Sequence, residues 1–308
     1  MDRISTSSSY QSALLGILQG QARQADAQQR VSSGYIGDDL KAYAGQADTL
    51  TALKTVASKI DSYVNSTSRA SDRLASQDLA LNAVSDSASG SRQAVLDAVA
   101  NGDGSTLIAT LQGWYSQAVD ALNTNSGGDY LFAGGKTTTK PIASDQLSDI
   151  PTGPISTLFN NDSHKAQARI DDNITLTTGV LASDAGTPLF SALQQVVAFN
   201  NGPGGPFSGK LTSAQETFLN GLLPTLQAAG STAIGTVAAN AVSQKRVETA
   251  QAQLANRKTA TDTLVGKTAE ADPAKAAIDL NLATTALQAS AQVFAVLKGS
   301  SLLNVLTA

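Results

Sequence analysis

Side chains that could carry out acid–base, metal or nucleophilic chemistry are few in this sequence. It contains one histidine, His164, and no cysteine. Structural and catalytic zinc sites are usually built from several Cys and His side chains, so this composition argues against one. A serine nucleophile would have only His164 as a possible base, which disfavours nucleophilic catalysis. We therefore predict no metal site, no cofactor and no catalytic residue.

Two short strings resemble part of a phosphate-binding loop, and each lacks a required glycine. Gly135-Lys136-Thr137 and Gly266-Lys267-Thr268 both contain the Gly-Lys-Thr core. The motif also needs a glycine five residues earlier, and those positions hold Tyr130 and Thr261. The acidic pair Asp171-Asp172 is better explained by turn chemistry than by paired catalytic carboxylates. The sequence predicts a protein that is not an enzyme.

Charge and hydropathy exclude two further classes of protein. Charged residues make up 15% of the 308 residues, and the formal net charge is −4. The sequence has no basic segment of the type that binds nucleic acid or anionic membranes. The N-terminal residues 1–6 lack the apolar core of a secretory signal peptide, and no uninterrupted run of about 18 apolar residues occurs. We expect no nucleic-acid binding, no membrane insertion and, for an exported protein, a route without a cleaved signal peptide.

An amphipathic helix is predicted from Asp272 to Lys298. Asp272 can cap its first turn, and Pro273 suits the first helical position because proline lacks an N–H there. Gly299 is predicted to end the helix. Apolar side chains recur along it at alternating steps of three and four residues and continue into the tail. They include Leu280, Leu287, Phe294 and Leu297, followed by Leu302 and Leu303.

A second amphipathic helix is predicted over residues 7–31. Its apolar face holds Leu15, Leu18, Ala22 and Ala25. Ordering a residue of an isolated helix costs about 1–2 kcal/mol in backbone entropy. A single face of alanines and a few leucines does not offset that cost in water. We therefore predict that both terminal helices are poorly ordered in the free chain and bury these faces between neighbouring copies when subunits stack.

The longest periodic signal runs from about Thr49 to Ala100. Its positions, spaced by seven, are Leu53, Ile60, Thr67, Leu74, Leu81, Ala88 and Val95. Such a repeat favours a coiled-coil rod. A shorter helix is predicted from Leu107 to Leu122, with Trp114 packed in the core. Ser213 and Glu216 form a predicted capping box that opens a further helix, and Pro224 is predicted to kink or restart it. Another long helix is predicted from about Ser231 to Leu264, with Thr261 and Leu264 along one side.

Helix periodicity disappears between these long helices. Residues 166–170 and 174–178 alternate apolar and polar side chains around the turn Asp171-Asp172-Asn173, which predicts a β-hairpin. We predict a mainly α fold of long antiparallel coiled-coil rods, with both termini at one pole and a small β-rich insert at the other. The predicted domains are 1–42 with 268–308, 43–135 with 186–267, and the insert 136–185.

These residues resemble the flagellin superfamily, and more narrowly the hook-associated protein 3 family of hook–filament junction proteins. At the start, the matching strings are Arg3-Ile4-Ser5-Thr6 and Arg30-Val31-Ser32-Ser33-Gly34. In the middle, Asn125-Ser126-Gly127-Gly128-Asp129-Tyr130-Leu131-Phe132-Ala133-Gly134 matches the most specific string of the family. At the end, residues 287–290 and 300–304 match its C-terminal block. One departure is the shortened loop at Tyr35–Gly37, which lacks the basic residue and the Pro-Ser usual in the family.

The resemblance implies an exported bacterial structural subunit. Copies would form a tubular ring, with the terminal helices as the inner tube and the β-rich insert outside. Its neighbours would be another hook-associated protein and flagellin, and a cytoplasmic export chaperone would hold the chain before flagellar type III export. The resemblance thus implies an extracellular location in the bacterial flagellum.

Two other functions are weighed against this one. A flagellin filament subunit shares the helical pattern but lacks the Tyr130–Gly134 string, which we call the signature segment. A type III-secreted translocator that acts on membranes also has long coiled coils. It needs a strongly apolar membrane-inserting hairpin, which the sequence does not contain.

Overall fold

The computed structural model describes the backbone of residues 2–306 and the side chains of residues 8, 9 and 11–298. Within this range the fold is mainly helical, as predicted, with two small antiparallel sheets. The elements in chain order are α1 (Asp2–Ser33), α2 (Ala47–Asn101), α3 (Leu107–Leu122), β1 (Asn125–Ser126), β2 (Asp129–Tyr130), β3 (Gln167–Asp171), β4 (Ile174–Thr177), α4 (Ala182–Asn201), α5 (Ser213–Ala269) and α6 (Pro273–Leu306).

The chain forms two compact units. The first comprises Met1–Ile60 and Asn256–Ala308, and the second comprises Asp61–Ala255. In the first unit, α2 and α5 meet where Leu50 and Ala269 are buried with Tyr43. In the second unit, α2 and α5 meet again where Leu74 accepts a hydrogen bond from the Asn240 side chain. The three predicted domains stay a prediction.

The seven-residue repeat marks the buried face of α2. Leu53 is half-buried, and the other six predicted positions are buried. The positions three residues after them are buried as well, namely Tyr63, Ala70, Gln77, Val84, Ser91 and Ala98. Two inward positions in every seven are what a long helix needs to pack along a partner helix. The buried face is therefore the predicted one, while coiled-coil geometry stays a prediction.

The structure corrects two predicted helix boundaries. Pro224, predicted to kink or restart a helix, lies within the uninterrupted α5. Leu222 and Leu226 on either side are buried, and this packing offsets the missing backbone hydrogen bond. α6 continues past Gly299 to Leu306. A single glycine within a helix costs only about 1 kcal/mol relative to alanine, which is too little to end one.

The start of α5 and one of its side chains also differ from prediction. A capping box was predicted at Ser213 and Glu216. It lies one residue earlier, where the Gln215 N–H donates to Thr212 Oγ1 and the Thr212 N–H donates to Gln215 Oε1. Leu264, predicted on the same side as Thr261, is half exposed. The next inward position is Val265, because the packed face advances by steps of three and four residues.

The segment predicted as β-rich contains less strand than expected. Its strands are the hairpin of β3 and β4, with Ala168 opposite Leu176. Residues 136–166 contain two short 3₁₀ turns and a single bridge between Ile142 and Phe159. The predicted hairpin itself is present because its alternating side chains bury one face. Ala168, Ile170 and Leu176 pack against residues of α2 and α5.

The main core of the second unit lies around α3, α4 and the end of β2. Tyr115 of α3 is fully buried and meets Phe190 of α4 edge-on, with ring centroids 5.2 Å apart. Trp114, predicted in this core, is only half-buried. Its indole lies against Gly90, where an added methyl group would come within 2.2 Å of the ring. The neighbouring Tyr115 takes the inward position instead.

Candidate functional site

The two terminal helices are joined at their base by a short ladder. The Ile36 N–H donates to the carbonyl oxygen of Ala269 at 2.9 Å, and the Ala271 N–H donates to that of Gly34 at 2.8 Å. Tyr35 thereby pairs with Glu270 in a single bridge. The loop that departs from the family pattern thus fixes the end of α1 beside the start of α6.

The predicted N-cap starts α6. Asp272 Oδ1 accepts the backbone N–H groups of Ala274 at 2.8 Å and Lys275 at 3.2 Å. These N–H groups have no partner inside the helix, so the carboxylate satisfies them. Asp272 therefore sets where α6 begins, and Pro273 gives it the first helical residue.

Small residues of α1 let α6 approach closely. Gly20 is buried, and a methyl group added there would lie 3.2 Å from Leu287 Cδ1. Gln24 Nε2 donates to Thr284 Oγ1 at 3.4 Å. Ala27 is also buried. Steps of three and four residues place Gly20, Gln24 and Ala27 on one face of α1, and this face packs against α6.

The predicted assembly residues of α6 lie on its inner face. Leu280, Leu287, Phe294 and Leu297 are each half-buried. Ala276 and Ala283, which share this face by their spacing, are buried. Within one chain this face is therefore covered in part by α1, while the poor order of both terminal helices in the free chain stays a prediction. The side chains of Leu302 and Leu303 lie outside the described residues.

The predicted assembly residues of α1 lie on its outer face. Leu15 and Leu18 are 57% and 53% exposed, and Ala22 and Ala25 are exposed as well. α1 instead meets α6 through smaller residues, which was not predicted from the sequence. The spacing of Gly16, Gly20, Gln24 and Ala27 carried that signal, because close helix packing needs small side chains.

A second apolar face on α6 was missed from the sequence. Ile278, Leu282, Val293 and Val296 are each more than half exposed. They recur at helical spacing, offset from the inner face, so the helix is apolar on both sides. Monomeric proteins rarely leave such apolar surface uncovered, and it is typical of an interaction site. The outer faces of α1 and α6 together are the candidate assembly surface.

One stretch of α6 also has the composition of a membrane span. Among the described residues, Pro273–Lys298 is the one helical stretch long and apolar enough to cross a bilayer, with a mean hydropathy of 1.3 over its best window. Length and hydropathy alone are weak evidence. A helix that packs against other helices on two sides has the same composition.

The signature segment lies in the core of the second unit. Leu131, Phe132 and Ala133 are buried, and Tyr130 is half-buried. The carbonyl oxygen of Phe132 accepts the N–H of Ala182 at the start of α4. Gly134 has φ +73°, and a methyl group there would lie 2.2 Å from Asp162 Oδ1. Both facts explain why this position needs glycine.

Asp162 ties the signature segment to the loop before β3. Its Oδ1 accepts the N–H groups of Gly135 at 2.8 Å and His164 at 2.9 Å. These two hydrogen bonds, the Gly135 bond first, lower the pKa of Asp162 because they favour the carboxylate. His164 thus contributes its backbone to this link, while its side chain is exposed.

Replacing Asp162 by alanine is expected to destabilise the second unit and to remove part of its pH dependence. Because the folded-state pKa is below that of the unfolded chain, the carboxylate stabilises the fold above the ordinary aspartate pKa. This contribution is lost as the pH falls through the lowered pKa. Urea unfolding of the wild type and Asp162→Ala between pH 7 and pH 2 tests this. The stability difference should shrink at acid pH, whereas Asp120→Ala, at an exposed aspartate of α3, should change the stability at pH 7 by less than about 0.5 kcal/mol.

The acidic pair predicted as turn chemistry forms the turn of the β3–β4 hairpin. Asp171 Oδ1 accepts the N–H of Asp172 at 2.8 Å, and Tyr63 of α2 donates its hydroxyl to Asp172 Oδ1 at 2.8 Å. This bond to Asp172 is the first cause of a raised pKa at Tyr63. Across the described residues, no three His, Asp or Glu side chains are placed to hold a metal ion.

No protein-family model matches this chain, and no curated protein matches it. Solved structures do match. A structure described as a flagellar hook-associated protein of Vibrio parahaemolyticus has a TM-score of 0.57 at 17% identity, over 73% of this chain and 97% of that one. The chain has the fold of the hook-associated proteins. FlgL of Bacillus cereus gives 0.54 at 14% identity, over 70% and 99% of the two chains. Hook-associated protein 3 of Legionella pneumophila gives 0.57 at 13% identity, over 70% and 98%.

Proposed function

We propose that this chain is a structural subunit of the bacterial flagellum, an adaptor at the hook–filament junction that self-assembles through its terminal helices and supports filament growth. The observation that carries the proposal is the fold similarity, which extends over 97% or more of each hook-associated chain named above. Because the sequence identities are below 25%, the similarity establishes the fold. The flagellar role is inferred from that fold by analogy.

The terminal helices supply the physical basis for self-assembly. The outer faces of α1 and α6 expose Leu14, Leu15, Leu18, Ile278, Leu282, Val293 and Val296. Covering apolar surface contributes about 25 cal/mol for each Å² removed from water. A ring of copies would cover these faces with equivalent faces of neighbouring subunits. Under this proposal the inner faces hold α1 and α6 together within a subunit, and the outer faces join subunits into a tube.

The proposal includes an extracellular location and partners on both sides of the ring. The neighbours would be an adjacent hook-associated protein and flagellin. A cytoplasmic export chaperone would shield the C-terminal segment until flagellar type III export, because an uncovered apolar helix otherwise promotes aggregation. The predicted order of layers, with terminal helices inside and the hairpin segment outside, belongs to the same proposal. No catalytic activity is proposed.

Immunolabelling of intact flagella tests the proposed location. A junction subunit should give a single band where the hook meets the filament. Removal of the chain from Lys275 onward should leave a soluble, folded second unit and abolish incorporation into the flagellum, because it removes almost all of α6. Filament growth supported by that shortened chain would contradict a role of α6 in assembly.

A flagellin filament subunit is the alternative within the same fold. The signature segment, which flagellins lack, speaks against it. A flagellin would be labelled along the whole filament, so the same immunolabelling separates the two functions.

A membrane-active type III-secreted translocator is the alternative from another class, and the apolar stretch Pro273–Lys298 is the observation in its favour. Leakage of dye from liposomes by the purified full chain would support that alternative. Under the junction proposal, liposomes stay intact.

A further inference from the structure

The guanidinium group of Arg73 in the second unit is half-buried, and one of its nitrogens is enclosed without a partner among the described residues. Arg73 of α2 donates from Nη2 to the carbonyl oxygen of Leu131, and its fully enclosed Nε has no hydrogen-bond partner in the described part of the chain. The ion pairs among the described residues do not include Arg73. Burial lowers the pKa of Arg73, and the charge of Asp129 opposes this effect only in part. Partial removal of this charge from water costs free energy, which an anion bound beside Arg73 would offset.

Arg73 lines an open cavity of 460 Å³ between α2, the signature segment and the β3–β4 hairpin. Arg69, four residues earlier on the same face of α2, also lines it. Two like charges at this spacing repel each other, and an anion bound between them would offset that repulsion. Asp72 and Asp129 line the cavity too, and both are exposed. Neither is within ion-pair distance of Arg73.

We propose that this cavity binds an oxyanion, a carboxylate or phosphate group, between Arg69 and Arg73. Guanidinium groups present several N–H donors in a plane, which matches the oxygens of these anions. Ser126 and Gln167 add neutral polar side chains to the wall. The volume is within the range of ligand pockets and leaves room for a group larger than inorganic phosphate.

A purely structural role for Arg73 makes a different prediction. In that case the side chain only holds the Leu131 carbonyl against α2, and Arg69 is an ordinary surface cation. Replacing Arg69 would then change no binding property, and the chain would have no saturable anion site. The two interpretations therefore differ in a measurement at Arg69, which is exposed and can be replaced without emptying the core.

Titration of the full chain with citrate and with inorganic phosphate, at ionic strength held constant with NaCl, tests the proposal by NMR. We expect saturable shifts of amide signals around the cavity. Arg73→Gln and Arg69→Gln should each weaken binding at least tenfold. Arg92→Gln should bind like the wild type, because Arg92 of α2 also has an enclosed unpartnered Nε but does not line the cavity. Absence of saturable binding by the wild type, or equal binding by Arg69→Gln, would overturn the proposal.

A second experiment distinguishes two sources of the anion, an acidic side chain of a second copy and a free anion in solution. If an acidic side chain of a second copy occupies the site, citrate should lower self-association of the wild type in sedimentation velocity and leave Arg73→Gln unaffected. If the source is a free anion, citrate should bind without changing self-association. Both results support the site. Because the titration needs no assembly, its outcome is independent of the proposed flagellar role.

Discussion

A chain carrying Val293→Asp and Val296→Asp should fold like the wild type and fail to enter the flagellum. Both valines lie on the outer face of α6 and are 57% and 71% exposed, so aspartates there stay hydrated in the free chain. In the proposed tube the same carboxylates would be buried between subunits. Burial of an unpaired charge costs several kcal/mol, which corresponds to more than a hundredfold loss of association at each contact.

Complementation of a strain that lacks the protein measures this effect. Swimming should be lost, and the variant should be absent from sheared flagella while its circular dichroism and solubility match those of the wild type. Leu79→Asp is the matched control, because Leu79 of α2 is 77% exposed and lies in the other unit. Normal motility of the double variant would show that the outer face of α6 makes no contact between subunits.

Phe132→Ala should be the most destabilising single substitution in the signature segment. Phe132 is fully buried in the main core of the second unit, and its carbonyl oxygen holds the start of α4. Removing a buried phenylalanine leaves a cavity and costs about 3–5 kcal/mol. That is a large fraction of the total stability of an ordinary domain, which is about 5–15 kcal/mol.

Urea unfolding followed by tryptophan fluorescence suits this test, because Trp114 is the only tryptophan and lies in the same unit as Phe132. The midpoint should fall strongly for Phe132→Ala. Leu79→Ala, at an exposed site, should change the stability by less than about 0.5 kcal/mol. A loss below about 1 kcal/mol for Phe132→Ala would mean that the segment does not anchor the core.

This result would also change how the signature segment is interpreted. Tyr130–Gly134 is the string that best separates the junction family from flagellins, so a direct contact with a neighbouring protein would be a natural assumption. Three of its four side chains are buried, and Gly134 is needed for its backbone conformation and for the space occupied by Asp162. The segment therefore holds α4 and the loop before β3 in place.

The terminal helices are apolar for two reasons that the structure separates: packing within one chain and an uncovered outer face. An inner face of α6 packs on α1 in the same chain, as at Leu287 and Gly20. An outer face, with Leu282 and Val296, remains uncovered. A helix with only one apolar face would be satisfied by its intrachain partner, so the second face is what favours assembly of copies.

Sequence patterns formed by residues close together in the chain were enough to predict much of this fold. The seven-residue repeat placed the buried face of α2, alternation placed the β3–β4 hairpin, and Asp272-Pro273 placed the start of α6. These features depend on helix and strand periodicity and on local hydrogen bonds, which neighbouring residues decide. The lack of Cys and of a second His likewise limits the possible chemistry from composition alone.

Only the tertiary structure decided which faces meet. One apolar face was predicted for α1, yet α1 meets α6 through Gly20 and Ala27 and leaves Leu15 exposed. Both faces have the same helical period, so the period cannot choose between them. The link from Gly135 to Asp162 spans 27 residues, and the cavity at Arg73 combines residues from four separate stretches of chain. Such pairs form because packing brings distant residues together, and no local pattern encodes them.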